Sequence, residues 1–278
     1  MENFLISLDA IIPFLLYLAF GYCSRRAGVF DEEFATRLNR VVFRLFFPFL
    51  TFYNIYSANM SAVPSARLLG AILITLPLLI LFLCWVVPRF VKERPKAGVV
   101  VQGIYRSNVL LYGLPLTINL FGSESAPMAA MIVTICITIY NITAVLVLEW
   151  FGGESHSDPK KLVLSCCKNP LLQGAAMGLL FFALGIHIPA PVEKFVSAFS
   201  NMTTPLALFI LGATLHFPAI KKNAKYIIGV LSIKMMLLPA LTLMLGLALG
   251  LHGLELFLLM MVYATPIATA SYPMAQNM

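Results

Sequence analysis

The sequence predicts an all-α, multi-pass membrane protein. Three observations carry that expectation. Of the 278 residues 60% are hydrophobic, only 11% are charged, and the charges gather in short gaps between long apolar runs. A soluble domain carries about 25% charged residues. With a mean hydropathy of +0.90, the bilayer takes the place of water as solvent. The net charge of +7 sits in the gaps, where it orients the chain and meets anionic headgroups. No nucleic-acid-binding module is present, so the expected partners are the lipid bilayer and a small molecule.

A helix needs roughly 20 apolar residues to cross the hydrocarbon core. Nine runs qualify in turn: 4–23, 39–58, 66–88, 97–121, 126–150, 169–186, 192–216, 225–250 and 254–278. The first opens MENFLISLDA, acidic and without a small-residue cleavage site after it, and reads as a membrane helix rather than a signal peptide. The sixth is short unless Lys168 and the residues before it begin the helix. Fifteen of the 19 Lys and Arg residues fall in odd-numbered gaps or at their edges, among them Arg25, Arg26, Arg89, Lys92, Lys160, Lys161, Lys221 and Lys222. Only Arg67 and Lys194 fall in even-numbered gaps. The positive-inside rule makes the odd gaps cytoplasmic and places the N-terminus outside. Arg106 and Lys234 lie inside runs four and eight.

Shifting the chain by 157 residues superimposes its punctuation. Pro13 falls on Pro170, Gly21 on Gly178, Gly28 on Gly185, Pro48 on Pro205 and Phe52 on Phe209. Each repeat holds five runs, an odd number, so the second is inverted: residues 1–150 form helices one to five, and residues 160–278 form helices six to nine. By the same offset a tenth helix is expected beyond the present chain.

Runs four and nine are interrupted at matching depth. Run four has Asn108, Tyr112, Gly113 and Pro115 mid-membrane. Run nine reads YATPIATASYP, with Thr265, Pro266, Thr269 and Pro273. Proline removes a backbone donor and clashes with the preceding turn. Freed backbone groups survive at membrane depth only where protein or water covers them. Two such breaks predict a crossing of half-helices, whose positive N-terminal ends suit an anion.

Arg106 is a cation at the centre of run four, which costs about 2.5–3.5 kcal/mol on insertion scales. Two readings stand: a guanidinium that clamps a carboxylate in two hydrogen bonds, or a structural partner for a helix C-terminus or an acid on another helix. Lys234 reads as structural, near enough to its helix end to snorkel. No run carries a carboxylate near its middle, since Asp9, Glu149 and Glu255 lie towards run ends. A cation/proton antiporter needs such a group, so the buried positive charge favours anionic cargo. In the polar stretch SNMTTP, Asn201 and Thr204 either face the crossing or bond back to their own helix. Asn141 reads as interhelical glue.

Nothing indicates an enzyme or a cofactor. There is no phosphate-binding GxxxxGK[ST] loop, no HExxH and no Gly-x-Ser-x-Gly elbow. His156, His187, His216 and His252 are scattered, and Cys23, Cys84, Cys136, Cys166 and Cys167 have no zinc spacing. No metal site is expected, and the cysteines read as reduced thiols.

The stretches LNRVVFRLFFPFLTFYNI at 38–55, YRSNVLLYGLPL at 105–116, NPLLQGAAMGLLFFALGIHIPAPV at 169–192 and TTPLALFILGATL at 203–215 together resemble the auxin efflux carrier family. The resemblance spans nearly the whole chain. It implies ten helices in two inverted five-helix repeats, with helices four and nine crossing. It also implies a scaffold of helices one, two, six and seven, often a homodimer, against which helices 3–5 and 8–9 move as an elevator. Bacterial members of that family include malate and malonate permeases. The short stretch 151–168 lacks the long central loop of many plant members and points to a bacterial inner membrane. The family often has Arg-Gly-Asn where this chain has Arg106-Ser107-Asn108.

The expected function is therefore secondary or potential-driven transport of small organic anions. The substrate-binding residues are expected to be Arg106, Asn108, Tyr112, Gly113, Asn201, Thr204, Thr265, Pro266 and Thr269. The alternatives are a sodium-coupled symporter of the bile-acid type, a cation/proton antiporter disfavoured by the missing central acid, and a membrane sensor that transports nothing.

Overall fold

The computed structural model describes residues 2–57, 64–152 and 166–277, with side chains from Ile11 onward. The side chain of Asp9, and His156, Lys160, Lys161 and Met278, lie outside the described residues. Those described are almost wholly helical, and their only β-structure is one isolated antiparallel bridge. The chain is an all-α, multi-pass membrane protein.

In chain order the helices are α1 (Glu2–Arg26), α2 (Glu32–Val41), α3 (Phe47–Tyr56), α4 (Ala66–Phe90), α5 (Arg94–Tyr105), α6 (Leu114–Phe121) and α7 (Ala126–Gly152). They continue as α8 (Pro170–Leu184), α9 (Ala190–Ala213), α10 (Phe217–Lys222), α11 (Ala224–Ser232), α12 (Leu238–Ala248), α13 (Gly253–Ala264) and α14 (Ser271–Asn277). Among the described residues four stretches are long and apolar enough to cross a bilayer on those grounds alone: Ala66–Phe90, Ser123–Gly152, Ala190–Ala213 and Ala224–Ala248.

Among the described residues there are three short π-helical segments: Val42–Phe46 and Ile233–Leu237 join helices that would otherwise be continuous, and Val109–Gly113 opens the half-helix that continues as α6. Each precedes a proline in the first turn of the next helix, namely Pro48, Pro115 and Pro239. A proline ring collides with the carbonyl four residues back. Those residues are Arg44, Leu111 and Met235, at the centre of each wide turn. The π-bulge opens the backbone where the ring needs room. Run two therefore stays helical through Pro48, and it starts earlier than residue 39, at Glu32. Asp31 caps it by accepting from the Phe34 amide at 2.7 Å. Run six begins at Pro170, because Asn169 caps α8 by accepting from the Leu171 amide at 3.0 Å. Lys168 belongs to a separate preceding turn.

The chain divides into two compact units. The first comprises residues 1–58, 158–217 and 272–278, and thus α1–α3, α8, α9 and most of α14. Here α1 packs along α9, and α3 along α8. Their close approach depends on glycines. A Cβ on Gly21 of α1 would meet the carbonyl oxygen of Phe209, and one on Gly178 of α8 would meet that of Phe52. These are the residues that the 157-residue shift superimposes, with their roles exchanged. Thr203 donates to the Phe46 carbonyl at 3.2 Å, again across a separation of 157 residues. Arg25 donates to the last carbonyl of α9, at Ala213, at 2.7 Å. Tyr272 and Thr214 share a hydroxyl hydrogen bond of 2.5 Å, and Asn39 donates to Gln276 at 2.6 Å.

The second unit comprises residues 59–157 and 218–271. Its core is a continuous apolar cluster from α4, α5, α7 and α13. Leu68, Ile72, Leu76 and Ile80 form the buried stripe of α4, at helical spacing. The opposite face of α4 exposes Leu73, Ile74, Leu78, Leu81, Phe82 and Trp85, large apolar groups suited to lipid tails. Lipid is as apolar as leucine, so burial alone cannot hold these helices together. Close packing and interhelical hydrogen bonds must do so. Glu255, at the start of α13, accepts from both the amide and the hydroxyl of Ser65, each at 3.0 Å, while Ser65 caps α4.

Candidate functional site

Within the second unit, α5 and α13 both stop in mid-span. Helix α5 ends at Tyr105, and Arg106 turns extended at φ −78°, ψ 112°. Helix α13 ends at Ala264, and Thr265 turns extended at φ −72°, ψ 152°. The two strings then cross as a short antiparallel bridge centred on Ser107 and Ile267. The Asn108 amide donates to the Pro266 carbonyl at 2.7 Å, and the Ala268 amide to the Arg106 carbonyl at 3.4 Å. Extended backbone at membrane depth thus finds its partners in the opposite break. The bridge pairs residues 160 apart, so the 157-residue offset that holds over residues 13–52 slips by three at the crossing.

The break in run four lies at residues 106–108, earlier than Gly113 and Pro115. The chain is helical again from Val109, and Pro115 is accommodated by the π-bulge. Gly113 is buried with helical φ and ψ, and a Cβ there would strike the side chain of Met261. Its smallness lets α13 approach, and it does not mark a helix end.

Around the crossing the helices supply polar groups. Arg106 is 3% exposed, and its Nη2 donates to Asn141 Oδ1 on α7 at 2.8 Å. Asn141 is interhelical, as read from the sequence, and its amide is uncharged, so it orients the guanidinium without neutralising it. Gln102, one turn before Arg106, is buried as well. Asn108 is 7% exposed, and its Nδ2 is a buried donor with no hydrogen-bond acceptor. It stands at the N-terminus of the half-helix Val109–Phe121, whose first amides have no partner within the helix. Tyr112 is half-buried, and its amide donates to the Asn108 carbonyl at 3.3 Å.

In the facing break, Thr265 is buried and its hydroxyl bonds back to the Met261 carbonyl at 3.0 Å. Pro266 is exposed and Thr269 half-buried. The freed carbonyl of Val262, at the end of α13, accepts the Tyr140 hydroxyl at 2.7 Å. Arg106, Asn108, Tyr112, Thr265, Pro266 and Thr269 therefore come together at or beside one crossing. Asn201 and Thr204 belong to α9 of the other unit. There Asn201 is exposed and donates to Ser197 at 3.4 Å, and Thr204 is half-buried. The neighbouring Thr203 bonds back to Phe199 at 2.9 Å, the local alternative for this stretch.

Two participants were not legible as such in the sequence. Ser107 is buried in the bridge. Lys234 does not snorkel: it is 0% exposed, and its Nζ donates to the Ile104 carbonyl at 3.1 Å and to Ser107 Oγ at 2.8 Å. The helical span runs Ala224–Ala248. Ten residues of helix before Lys234 put it about 15 Å in, half the thickness of the hydrocarbon core. That arithmetic was the available signal. Among the described residues, no group of three or more His, Cys, Asp or Glu side chains stands together to hold a metal. The five cysteines are free thiols.

A family model described as membrane transport protein matches residues 6–278. The chain belongs to the membrane transport protein family, that of the auxin efflux carriers. An uncharacterised transporter of Methanothermobacter thermautotrophicus is 25% identical over 276 residues, covering 98% of this chain and 86% of the relative. The uncharacterised transporter YfdV of Escherichia coli is 22% identical over 265 residues, covering 93% and 84%. The uncharacterised transporter MJ1031 of Methanocaldococcus jannaschii is 25% identical over 279 residues, covering 95% and 87%. As a member of this family, the chain is a membrane transporter.

Proposed function

We propose that this transporter carries small organic anions, mono- or dicarboxylates of the malate and malonate kind, and binds them at the crossing of α5 and α13. The observation that carries the reading is the side-chain amide of Asn108: its Nδ2 is a donor buried without an acceptor, at the start of a half-helix, two residues from a buried arginine. A buried donor left unpaired costs about 1–3 kcal/mol. A carboxylate oxygen would remove that cost and meet the first amides of the half-helix, where its charge is favoured. The Arg106 guanidinium would take a second oxygen, with Tyr112, Thr265, Pro266 and Thr269 bordering the anion.

We further propose that one unit moves against the other. The unit of α1–α3, α8 and α9 would be the scaffold and the dimer-forming part, and the crossing-bearing unit would travel as an elevator. The exchanged pairs Gly21–Phe209 and Gly178–Phe52 support an inverted repeat as the origin of that scaffold. In a bacterial inner membrane, with the N-terminus outside, export of an anion down the membrane potential would release about 2.3 kcal/mol per charge per 100 mV.

The test is reconstitution on a solid-supported membrane, with malonate, malate, succinate, lactate and indole-3-acetate applied in turn. A saturable current with one anion, lost in Arg106→Ala and in Asn108→Ala, is the expected result. Transport indifferent to both substitutions would overturn the site.

A further inference from the structure

We infer that Lys234 is a tethered cation that occupies the place a co-transported ion would take, so that the crossing carries its own positive charge and draws none from solution. This rests on the proposed anion transport for its consequence, but not for its geometry. The carbonyl groups of the last turn of a helix have no intrahelical donor and carry partial negative charge. At a broken membrane helix such carbonyls are where transporters bind sodium ions or protons. Here the Ile104 carbonyl, in the last turn of α5, faces the Lys234 ammonium at 3.1 Å, and Ser107 Oγ, in the break itself, faces it at 2.8 Å. Both partners are oxygens, and both are neutral. The ammonium is 0% exposed and is held in the π-helical turn Ile233–Leu237 before Pro239.

An ammonium bonded to a helix-end carbonyl and a hydroxyl offers what a monovalent cation offers: positive charge directed at oxygen lone pairs. It differs in being covalently attached and in moving with the second unit, which contains α5, the break and Lys234 alike. Arg106 lies between Ile104 and Asn108 on the same strand of chain. Lys234 thereby fixes the backbone on which both proposed anion-binding side chains are mounted. It is a positioning residue.

The inference is tested by restoring the charge without the tether. Lys234→Ala removes all of the side chain beyond Cβ, the part that n-propylammonium replaces. In detergent, without any anion, the variant is expected to melt about 5 °C or more below the wild type. n-Propylammonium chloride should recover at least half of that loss, whereas choline chloride and n-propanol should not, and the wild-type melting point should not move. Lys234→Met, of similar length and uncharged, guards against a variant that does not fold. It should fold but bind malonate at least tenfold more weakly than the wild type. Wild-type currents should be equal in sodium and in choline. A Lys234→Met protein with wild-type binding, a Lys234→Ala protein that ignores propylammonium, or a wild-type current that requires sodium would each overturn the inference. If no anion gives a current, the transport reading fails, and the melting experiment still decides the role of Lys234.

Discussion

Tyr140 of α7 donates its hydroxyl, at 2.7 Å, to the carbonyl of Val262, in the last turn of α13. The acceptor has no partner along its own helix because α13 stops two residues later. A tyrosine from a neighbouring helix thus stands in for the missing turn. Interhelical hydrogen bonds in membranes are worth on average ~0.6 kcal/mol, up to ~1.7. Tyr140→Phe keeps the ring and removes the bond. It should lower stability by about 1–2 kcal/mol, since the carbonyl stays buried and unpaired. Thermal melting in detergent should show a drop of a few degrees, and no drop would mean that water or another donor replaces the hydroxyl.

Arg106 and Asn108 differ in what a conservative change should do. Arg106→Lys keeps the charge but gives up the planar fork that meets two oxygens at once. Malonate affinity by calorimetry should fall about 10- to 100-fold, and Arg106→Ala should abolish measurable binding. Asn108→Asp replaces the unpaired donor with a carboxylate, so binding should be lost by repulsion although the shape is kept. Equal affinities in Arg106→Lys and the wild type would show that charge alone suffices.

The glycines of the first unit should be intolerant in proportion to what a methyl group would meet. Gly21→Ala and Gly178→Ala press a Cβ against the backbone of α9 and α3 respectively. Each should cost about 1–3 kcal/mol, as overpacking does. Gly70, on α4, has nothing within 4 Å of a built Cβ. There alanine should be neutral or stabilise by about 0.5–1 kcal/mol through helix propensity. Melting curves of the three variants side by side would check the contrast, and comparable losses in all three would contradict it.

Glu255 accepts two hydrogen bonds from Ser65 at the head of α4. Glu255→Gln keeps one acceptor and should cost less than about 1 kcal/mol. Glu255→Ala leaves the Ser65 amide without its acceptor and should cost about 1–3 kcal/mol. Since neither residue lies at the crossing, malonate affinity should be unchanged in both folded variants. A loss of affinity at constant stability would tie this outer pin to the site.

The sequence shows the all-helical, membrane-spanning character and the two interrupted runs plainly, because hydropathy and proline placement are local properties. The precise break does not show, because proline has two outcomes. Pro266 stands inside an extended segment, whereas Pro115 is absorbed by a bulge. Which one occurs depends on whether a neighbour satisfies the freed backbone, and for Asn108 that neighbour is Pro266, 158 residues away. The Arg106–Asn141 pair was half legible: both residues stand out as polar in apolar runs, but their meeting is tertiary. The sequence leaves Lys234 a structural residue able to snorkel, whereas its ammonium turns inward to the Ile104 carbonyl and Ser107 Oγ, partners 130 and 127 residues away that only the tertiary structure brings near. Asn201 and Thr204 stand out as polar in run seven, and their surroundings within α9 are set by neighbouring hydroxyls that a sequence does not order.

The exchanged packing of the first unit has a consequence for biosynthesis. Arg25 waits for a carbonyl 188 residues downstream, and Thr51 for one 120 residues downstream. At about 5–20 residues per second on the ribosome, the Gly21 face of α1 stays in the bilayer for roughly 10–40 s before Phe209 has been made. During that interval the early helices hold exposed glycine faces that fit another helix of the same kind. A nascent chain caught there would be open to pairing with a second nascent chain, and an insertion chaperone has its window of action before α9 enters the membrane.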